Sequence, residues 1–172
     1  MFVRKSKSGF TLVEILIVVI ILGILAAIVI PQFTEASSEA RISNLMTNLQ
    51  TIRSQLLLYK TQHLELYPGA VGGETADDGS TTTFGEQMCQ YSDVNGDVNA
   101  TPDADFPFGP YLQGIPPNPI TGSRAITVVD DVGVAFAAGD DAGWWFNRAT
   151  GEFRANLDDT HETADGVLLN SL

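Results

Sequence analysis

The feature that most restricts how this chain folds is an apolar run near its N-terminus. The run covers residues 10–30 and is interrupted only by Thr11, Glu14 and Gly23. As a helix with a rise of about 1.5 Å per residue, it is about 30 Å long, which matches the hydrocarbon core of a bilayer. The run therefore predicts a transmembrane helix, and it raises the question of why a carboxylate lies within it.

The charges on either side of this run predict its orientation. Arg4, Lys5 and Lys7 precede it, whereas the whole chain has 9 Lys and Arg against 21 Asp and Glu, a formal net charge of −12. Basic residues stay on the cytoplasmic side, so the remainder of the chain is expected in the periplasm or outside the cell. An acidic surface repels phosphates, which excludes nucleic acid as a partner.

Two ordinary explanations of the run leave Glu14 difficult to place, and a third is physically possible. A cleavable signal peptide cut after Ala27 would have the large Leu25 at the −3 position. A plain membrane anchor would carry an ionised acid at a cost of about 2.5–3.5 kcal/mol. Glu14 could also extend to water at the level of the headgroups. A charge partner would remove the difficulty.

The same residues carry a resemblance to a known family. A short basic leader, "MFVRKSKSG", ends in glycine, and "FTLVEILIVVIILGILAAIVIPQF" follows it. Residues 4–33 resemble the type IV pilins and the pseudopilins of type II secretion. The resemblance implies a leader peptide over residues 1–9, cleavage between Gly9 and Phe10 by a prepilin peptidase, and methylation of the new N-terminus at Phe10.

This processing would give Glu14 its partner. In a helical fibre of staggered subunits, Glu14 of one helix could meet the Phe10 amine of a neighbour, and a wrong stagger would leave both charges buried and unpaired. Glu14 and Phe10 are therefore predicted assembly residues. Gly23 and Pro31 divide the helix, and Pro31, which also suits the membrane exit, is expected to kink or locally melt it near Ala27.

Beyond Pro31 the chain predicts an α+β, pilin-like domain. Residues 31–67 continue the helix as an amphipathic segment that reaches about His63 and is followed by a stop at Tyr67-Pro68-Gly69. Residues 68–172 form the periplasmic globular domain, with a small antiparallel sheet over the apolar stripe of the helix. The stripe consists of Ile42, Leu45, Leu49, Ile52, Leu56 and Tyr59.

The globular domain has recognisable parts. Residues 69–83 are a polar loop, "FGEQMCQYSDV" suits one or two helical turns, and a turn-rich segment follows whose apolar residues are expected beneath the helix: Phe106, Phe108, Tyr111, Leu112 and Ile115. Four β-prone runs come next, "SRAITVVD", "GVAFAA", "GWWFN" and "GEFRA", with a hairpin at "NRATGE". The acidic tail from Asn156 is expected to be loosely ordered.

The residues that could support catalysis are few. His63 is interpreted as a helix-end residue and not a ligand, His161 lies in the polar tail, and Cys89 has no histidine near it in sequence. Cys89 is interpreted as a small, partly buried side chain or a site for an intermolecular bridge. A terminal cysteine pair, which many type IVa pilins have, is absent from the sequence. No enzymatic activity is expected.

Calcium is the one cofactor that the sequence suggests. Asp93, Asn95 and Asp97 alternate like the start of an EF-hand loop, but Val98 and Ala104 occupy the positions of its glycine and its final acid. A second acidic group lies in "VVDDVGVAFAAGDDAG" and consists of Asp130, Asp131, Asp140 and Asp141. The alternative is a solvated acidic surface.

Together these observations predict the major pseudopilin of a type II secretion system, anchored in the bacterial inner membrane and polymerised into a periplasmic fibre. The resemblance implies as partners further copies of the chain, the prepilin peptidase, an inner-membrane assembly platform with its ATPase, and minor pseudopilins. The alternatives are a type IV pilus subunit for adhesion or motility and a monomeric membrane-tethered binding module.

Overall fold

The computed structural model of the protein describes residues 9–69, 81–138, 142–163 and 165–172, without the side chains of residues 30–35 and 81–83. The chain divides into one unit that ends at Ala40 and a second unit, Arg41–Leu172. The elements are α1 (Leu12–Gln62), α2 (Thr81–Cys89), β1 (Tyr91–Ser92), β2 (Val98–Asn99), β3 (Ile126–Val129), β4 (Trp144–Asn147), β5 (Glu152–Ala155) and a 3-10 turn at Leu169–Ser171.

Helix α1 carries the apolar run and continues far beyond it. The window Leu12–Val29 has a mean hydropathy of 3.3, none of it is buried, and by length and composition it is apolar enough to cross a membrane. The helix ends at Gln62, close to the predicted end. It also passes Ala27 and Pro31 without a break, so no melted turn is present there, and the expected alternative of a kink stays a prediction.

The core of the second unit forms on the predicted stripe of α1. Leu45, Leu49, Ile52, Leu56 and Tyr59 are all at most 2% exposed, and Ile42 packs at the edge of the cluster. Their partners come from α2, from the turn-rich segment and from the sheet: Phe84, Met88, Tyr111, Leu112, Ile126, Trp144, Phe146 and Phe153. The predicted α+β arrangement is confirmed.

The turn-rich segment lies where the sequence places it. Tyr111 and Leu112 are buried, and both of their backbone N–H groups donate to the carbonyl of Met88, at 3.0 and 2.8 Å. Phe108 and Ile115 pack against the core, whereas Phe106 is only half-buried and lies outside the core cluster. The helical turns predicted in "FGEQMCQYSDV" correspond to the second half of α2.

His63 closes the end of the core and is 2% exposed. Its ring stacks on Tyr59 at 3.7 Å between centroids. Nδ1 lies 2.8 Å from the Tyr59 carbonyl, which only accepts, so Nδ1 carries the proton and Nε2 accepts from the Ser92 hydroxyl at 2.9 Å. The neutral ring thus uses both nitrogens inside the fold. Burial lowers the pKa of His63.

The main sheet has the order β3-β4-β5, and its β4–β5 hairpin is the predicted one. The expectation of a wholly antiparallel sheet is wrong, because β3 pairs with β4 in parallel. Residues 130–143, which join the two strands, are long enough for the crossover of about a dozen residues that parallel strands need. A second, two-stranded sheet, β1–β2, was not anticipated.

The predicted strand "GVAFAA" is also wrong, since residues 133–138 form no strand. Side chains alternate between the faces of a sheet, so Trp145 points away from the core-facing Trp144 and Phe146. Phe136 packs edge-on against Trp145 at 5.5 Å and lies over the Arg154 guanidinium at 5.8 Å. The segment therefore covers the second face of the sheet and does not extend its edge.

The tail is ordered, which corrects the expectation of a loose C-terminal segment. Leu157 and Leu169 are 3% exposed and belong to the core. Asn170 donates to the Leu157 carbonyl and to Asp159, each at 2.9 Å, and Arg53 donates to the Leu172 carbonyl at 2.6 Å. Two leucines and a buried amide fix a segment whose acidic composition suggested disorder.

The first prediction concerns the pH dependence of stability. Because burial lowers the pKa of His63 below its unfolded value of about 6.5, the folded chain binds this proton less readily than the unfolded chain. The stability that the neutral ring contributes is complete above about pH 6.5 and decreases below it. Between pH 7.5 and 5.5 we expect a loss of up to about 1.4 kcal/mol from this group, measured by urea unfolding.

The matched control uses the other histidine. A His63→Gln variant should be less stable at pH 7.5 but lose less stability on acidification than the unsubstituted protein. A His161→Gln variant, changed at a half-buried position outside the core where the ring lies 2.8 Å from Asp158 Oδ1, should keep the part of the pH dependence that comes from His63. An unchanged slope in the His63→Gln variant would refute this role.

A second prediction uses two glycines with the same backbone conformation. Gly151 (φ 79°) and Gly166 (φ 77°) both lie in the left-handed region, where alanine costs about 1–2 kcal/mol. A Cβ at Gly151 would also overlap the Tyr67 ring, whereas at Gly166 it meets no atom within 4 Å. Thermal unfolding should therefore rank Gly151→Ala below Gly166→Ala by a further 1–3 kcal/mol or so. Equal losses would mean that the Tyr67 ring moves aside freely.

Candidate assembly and processing site

The predicted assembly residue Glu14 forms a capping box with Thr11 at the start of α1. The Thr11 backbone N–H and hydroxyl lie 3.0 and 3.1 Å from Glu14 Oε2, and the Glu14 N–H donates to Thr11 Oγ1 at 3.2 Å. Because α1 begins at Leu12, Thr11 is the N-cap and Glu14 is the third helical residue. The arrangement satisfies two N–H groups that an apolar helix end cannot satisfy by itself.

The sequence analysis missed this cap, although T-x-x-E before an apolar run is its signature. Thr11 is thus a further site residue. Both bonds that Thr11 donates go to Oε2, and within the described residues Oε1 has no hydrogen-bond partner. Glu14 therefore has a local role in its own helix and retains one carboxylate oxygen that a second group could bind.

The predicted cleavage point is open to solvent. Gly9 and Phe10 precede the helix, Phe10 is 83% exposed, and a Cβ added at Gly9 would meet no atom within 4 Å. A protease needs access to the peptide bond that it cuts, and both residues of this bond are exposed. The leader residues 1–8 lie outside the described residues, and Gly23 lies in open space on α1.

The first predicted calcium group forms a loop that is closed by its own hydrogen bonds. Asp93 Oδ1 accepts from the backbone N–H groups of Asn95 and Asp97, both at 2.9 Å, and Asp93 Oδ2 accepts from the Asn95 side chain at 3.0 Å. These bonds hold the turn at Gly96 (φ 91°) without a cation. Both carboxylate oxygens of Asp93 are thus already used as acceptors.

The second predicted calcium group has different partners. Asp130 accepts from the buried Arg148 guanidinium at 2.6 Å, and Asp131 Oδ1 accepts from the Gly133 N–H at 2.8 Å. Asp140 and Asp141 lie outside the described residues. Within the described ranges no three acidic, histidine or cysteine side chains gather where they could hold a metal ion. The described residues therefore do not fit a calcium site, and calcium binding stays a prediction without an assigned ligand set.

Cys89 lies at the end of α2 as a half-buried free thiol. Burial raises its pKa, which disfavours the thiolate that a nucleophile or a metal ligand needs. This position agrees with its interpretation as a small, partly buried side chain.

Comparison with known proteins gives matches around the N-terminal site. Residues 4–30 match the family model for the prokaryotic N-terminal methylation motif. "Type II secretion system core protein G" of Pseudomonas aeruginosa is 40% identical over 70 residues, which are 41% of this chain and 49% of the relative. The protein of the same name from Klebsiella michiganensis is 37% identical over 57 residues, 33% of this chain and 40% of the relative.

Fimbrial proteins match over shorter stretches. "Type IV major fimbrial protein FimA" of Dichelobacter nodosus is 40% identical over 53 residues, 31% of this chain and 34% of the relative. The chain thus spans about half the length, or less, of these curated relatives. No solved structure gave a significant match.

These relatives are named as a secretion-system core protein and as fimbrial proteins, which agrees with the expectation that the chain is a structural subunit and not an enzyme. The motif spans the predicted cleavage point, Gly9 and Phe10, together with Glu14. By this motif and these relatives, the N-terminal region of the chain is pilin-like and similar to that of type II secretion core proteins G and type IV fimbrial proteins.

Proposed function

We propose that the chain is the major pseudopilin of a type II secretion system, a subunit that polymerises through its N-terminal helix into a periplasmic fibre. The observation that carries this proposal is the 70-residue match to a type II secretion core protein G in a chain with the N-terminal methylation motif. Cleavage after Gly9 and methylation of Phe10 prepare the subunit, and the inner membrane holds it through residues 10–30 before assembly.

The uncovered surface of the apolar helix supports assembly through this segment. Large apolar side chains from Phe10 to Val29 are 42–83% exposed. In the membrane they contact lipid. In a fibre that has left the membrane they need another apolar cover, because exposing them to water costs about 25 cal/mol for each Å². The same helix of neighbouring copies provides that cover, and the hydrophobic effect then stabilises the fibre.

The pair of the Phe10 amine and the Glu14 carboxylate fixes the stagger of neighbouring subunits, which apolar contacts alone do not fix. Cleavage gives Phe10 a charged α-amine, next to the N-cap Thr11, and Glu14 keeps Oε1 free of bonds within the described residues. The amine of one copy binds the Glu14 carboxylate of its neighbour while Thr11 continues to hold Oε2. A subunit with the wrong stagger leaves an unpaired amine and carboxylate in an apolar core, at a cost of several kcal/mol.

The remaining partners follow from this role. The acidic domain Arg41–Leu172 lies on the periplasmic side, and the fibre grows on an inner-membrane platform driven by a cytoplasmic ATPase, with minor pseudopilins as further subunits. Growth of the fibre pushes folded cargo outward.

A type IV pilus subunit is the second candidate function. The match of about one third of the chain to fimbrial protein FimA favours it, at the same 40% identity as the core protein G match. The longer match to core protein G ranks secretion first. Deletion of the gene in its own host separates the two, because loss of secreted proteins supports the first function and loss of surface pili or motility supports the second.

The third prediction concerns processing. Intact mass and N-terminal sequencing of the protein from membranes of its own host should give a chain that begins with N-methylated Phe10. A Gly9→Leu substitution should leave the leader attached, because a bulky side chain blocks the small-residue site before the cut. A native chain that begins at Met1 or Ile28 would contradict the proposed processing.

The fourth prediction separates the two roles of Glu14. Glutamine retains a side-chain oxygen for the cap but removes the charge. We therefore expect Glu14→Gln, like Glu14→Ala, to insert in the membrane and to reduce sheared or cross-linked fibres at least ten-fold. Glu39→Ala, which removes an exposed carboxylate of the same helix, is the matched control and should assemble normally.

The outcomes distinguish the hypotheses. Normal fibres with Glu14→Gln but not with Glu14→Ala would mean that the cap, and not the charge pair, supports assembly. Normal fibres with both variants would remove the assembly role of Glu14. Membrane-bound protein without fibres, even in the unsubstituted chain, would favour the membrane-tethered binding module.

A further inference from the structure

Asn95 is the one asparagine of the sequence that is followed by glycine. The other seven asparagines precede leucine, alanine, proline, arginine or serine. Asparagine is a thermolabile residue because its side-chain amide can be lost. A following glycine speeds this loss, since a residue without Cβ lets its backbone nitrogen approach the side chain before it. The pair Asn95-Gly96 is therefore the position at which this chain deamidates most easily when no structure opposes the reaction.

Deamidation of this pair needs only water as a second reactant. The Gly96 backbone nitrogen attacks Cγ of Asn95, the new N–C bond closes a five-membered succinimide ring, and the bond from Cγ to Nδ2 breaks. The proton of the Gly96 N–H leaves with Nδ2 as ammonia. Water then opens the ring at one of its two carbonyl groups, which gives aspartate or isoaspartate at position 95.

The folded loop 93–97 binds both reacting groups to Asp93. Asn95 Nδ2 donates to Asp93 Oδ2 at 3.0 Å, and the Gly96 N–H donates to the Asp93 carbonyl at 3.2 Å. Ring closure requires the attacking nitrogen to lose its proton and to align with Cγ at about 3–3.5 Å. A proton that is bonded to a carbonyl is shielded from bases in water. Both hydrogen bonds therefore oppose the reaction.

Gly96 is held more firmly than its neighbour. Asn95 is exposed, whereas Gly96 is buried with a φ of 91°. The Gly96 carbonyl accepts from the buried Gln87 side chain of α2 at 2.7 Å, and Gln87 Oε1 accepts from the Gly69 N–H at 2.6 Å. Gly96 is thus fixed at its N–H and at its carbonyl, and moving it would break the contact between the loop and α2.

We propose that Asn95-Gly96 is a latent deamidation site, which the fold keeps unreactive through Asp93 and Gln87 and which reacts when the loop 93–97 opens. This inference concerns the loop of a single chain and does not depend on the proposed fibre. It gives the hydrogen bonds of Asp93 a chemical role, the protection of a labile amide.

The product of the reaction keeps the loop open. An acid at position 95 removes the donor to Asp93 Oδ2 and places a second carboxylate beside it, and like charges so close disfavour each other. Isoaspartate also lengthens the backbone by one atom, so the turn from Asp93 to Gly96 cannot close as before. Deamidation therefore marks, irreversibly, a chain whose loop has opened.

The fifth prediction compares the rate of deamidation in the folded and in the unfolded full-length chain. In concentrated urea at neutral pH, Asn95 should deamidate at least ten-fold faster than each of the other seven asparagines. In the folded chain, Asn95 should react at least ten-fold more slowly than in urea. Fragmentation mass spectrometry locates each amide that has become an acid and thus measures both rates.

Two variants that lose the same charge test Asp93. Asp93→Asn keeps an oxygen for the backbone N–H groups of the loop but has no acceptor left for Asn95 Nδ2. We expect it to raise the rate at Asn95 in the folded chain at least five-fold. Asp97→Asn, whose side chain holds neither reacting group, should keep the rate within two-fold. Thermal unfolding verifies that both variants are folded.

Each outcome decides one part of the inference. A rate in urea that is no higher at Asn95 than at the other asparagines would refute the site. Equal rates in the folded chain and in urea would refute its protection by the fold, and this comparison needs no variant. An unchanged rate in folded Asp93→Asn would refute the role of the Asp93 side chain.

Discussion

The structure depends on one helix that meets two different environments. Residues 12–29 of α1 are apolar on all sides, which suits lipid, whereas from Leu45 to Tyr59 apolar residues occupy one stripe, which suits a half-buried helix in water. The sheet, α2 and the turn-rich segment all bury their apolar side chains against that stripe. Without it, a three-stranded sheet and a nine-residue helix have too little core of their own.

The start of this helix has its own constraint. A helix end in an apolar setting leaves N–H groups without partners, and each such group is costly away from water. Thr11 and Glu14 meet that need through a reciprocal cap, which gives the carboxylate a local reason to be there. The cap and the proposed intermolecular pair are compatible, since the cap uses Oε2 and the pair requires Oε1.

Local patterns in the sequence predicted most of the fold. The stripe spacing placed α1 and its end, and the Asp/Gly-bounded runs placed β3, β4, β5 and the hairpin at residues 148–151. The predictions were wrong where contacts between residues distant in sequence determine the structure. The β-prone segment 133–138 places Phe136 on Trp145, and the parallel pairing of β3 depends on the path of the whole crossover. The tail looked disordered by charge, whereas Leu157, Leu169 and Asn170 fix it through partners distant in sequence.

For the candidate site, too, local sequence patterns were predictable. Gly9, Phe10 and Glu14 were recognisable because their spacing is itself the signal, and the T-x-x-E cap was equally readable but was missed. The calcium pattern stays a prediction: Asp93 alternates with Asn95 and Asp97 as an ion-binding loop does, but the same alternation lets its carboxylate accept the loop's own N–H groups. The sequence pattern of a short acidic loop is therefore the same for both arrangements.

Charge affects the proposed assembly both in the soluble unit and at the start of α1. In the proposed fibre, a processed subunit has a formal charge of −15 and repels its copies through the soluble unit, while its apolar helix attracts them. Neither effect fixes an orientation. Specific assembly therefore needs contacts that fail when they are misplaced. The proposed pair of the Phe10 amine and the Glu14 carboxylate provides such a contact, because a wrong register leaves two charges without partners.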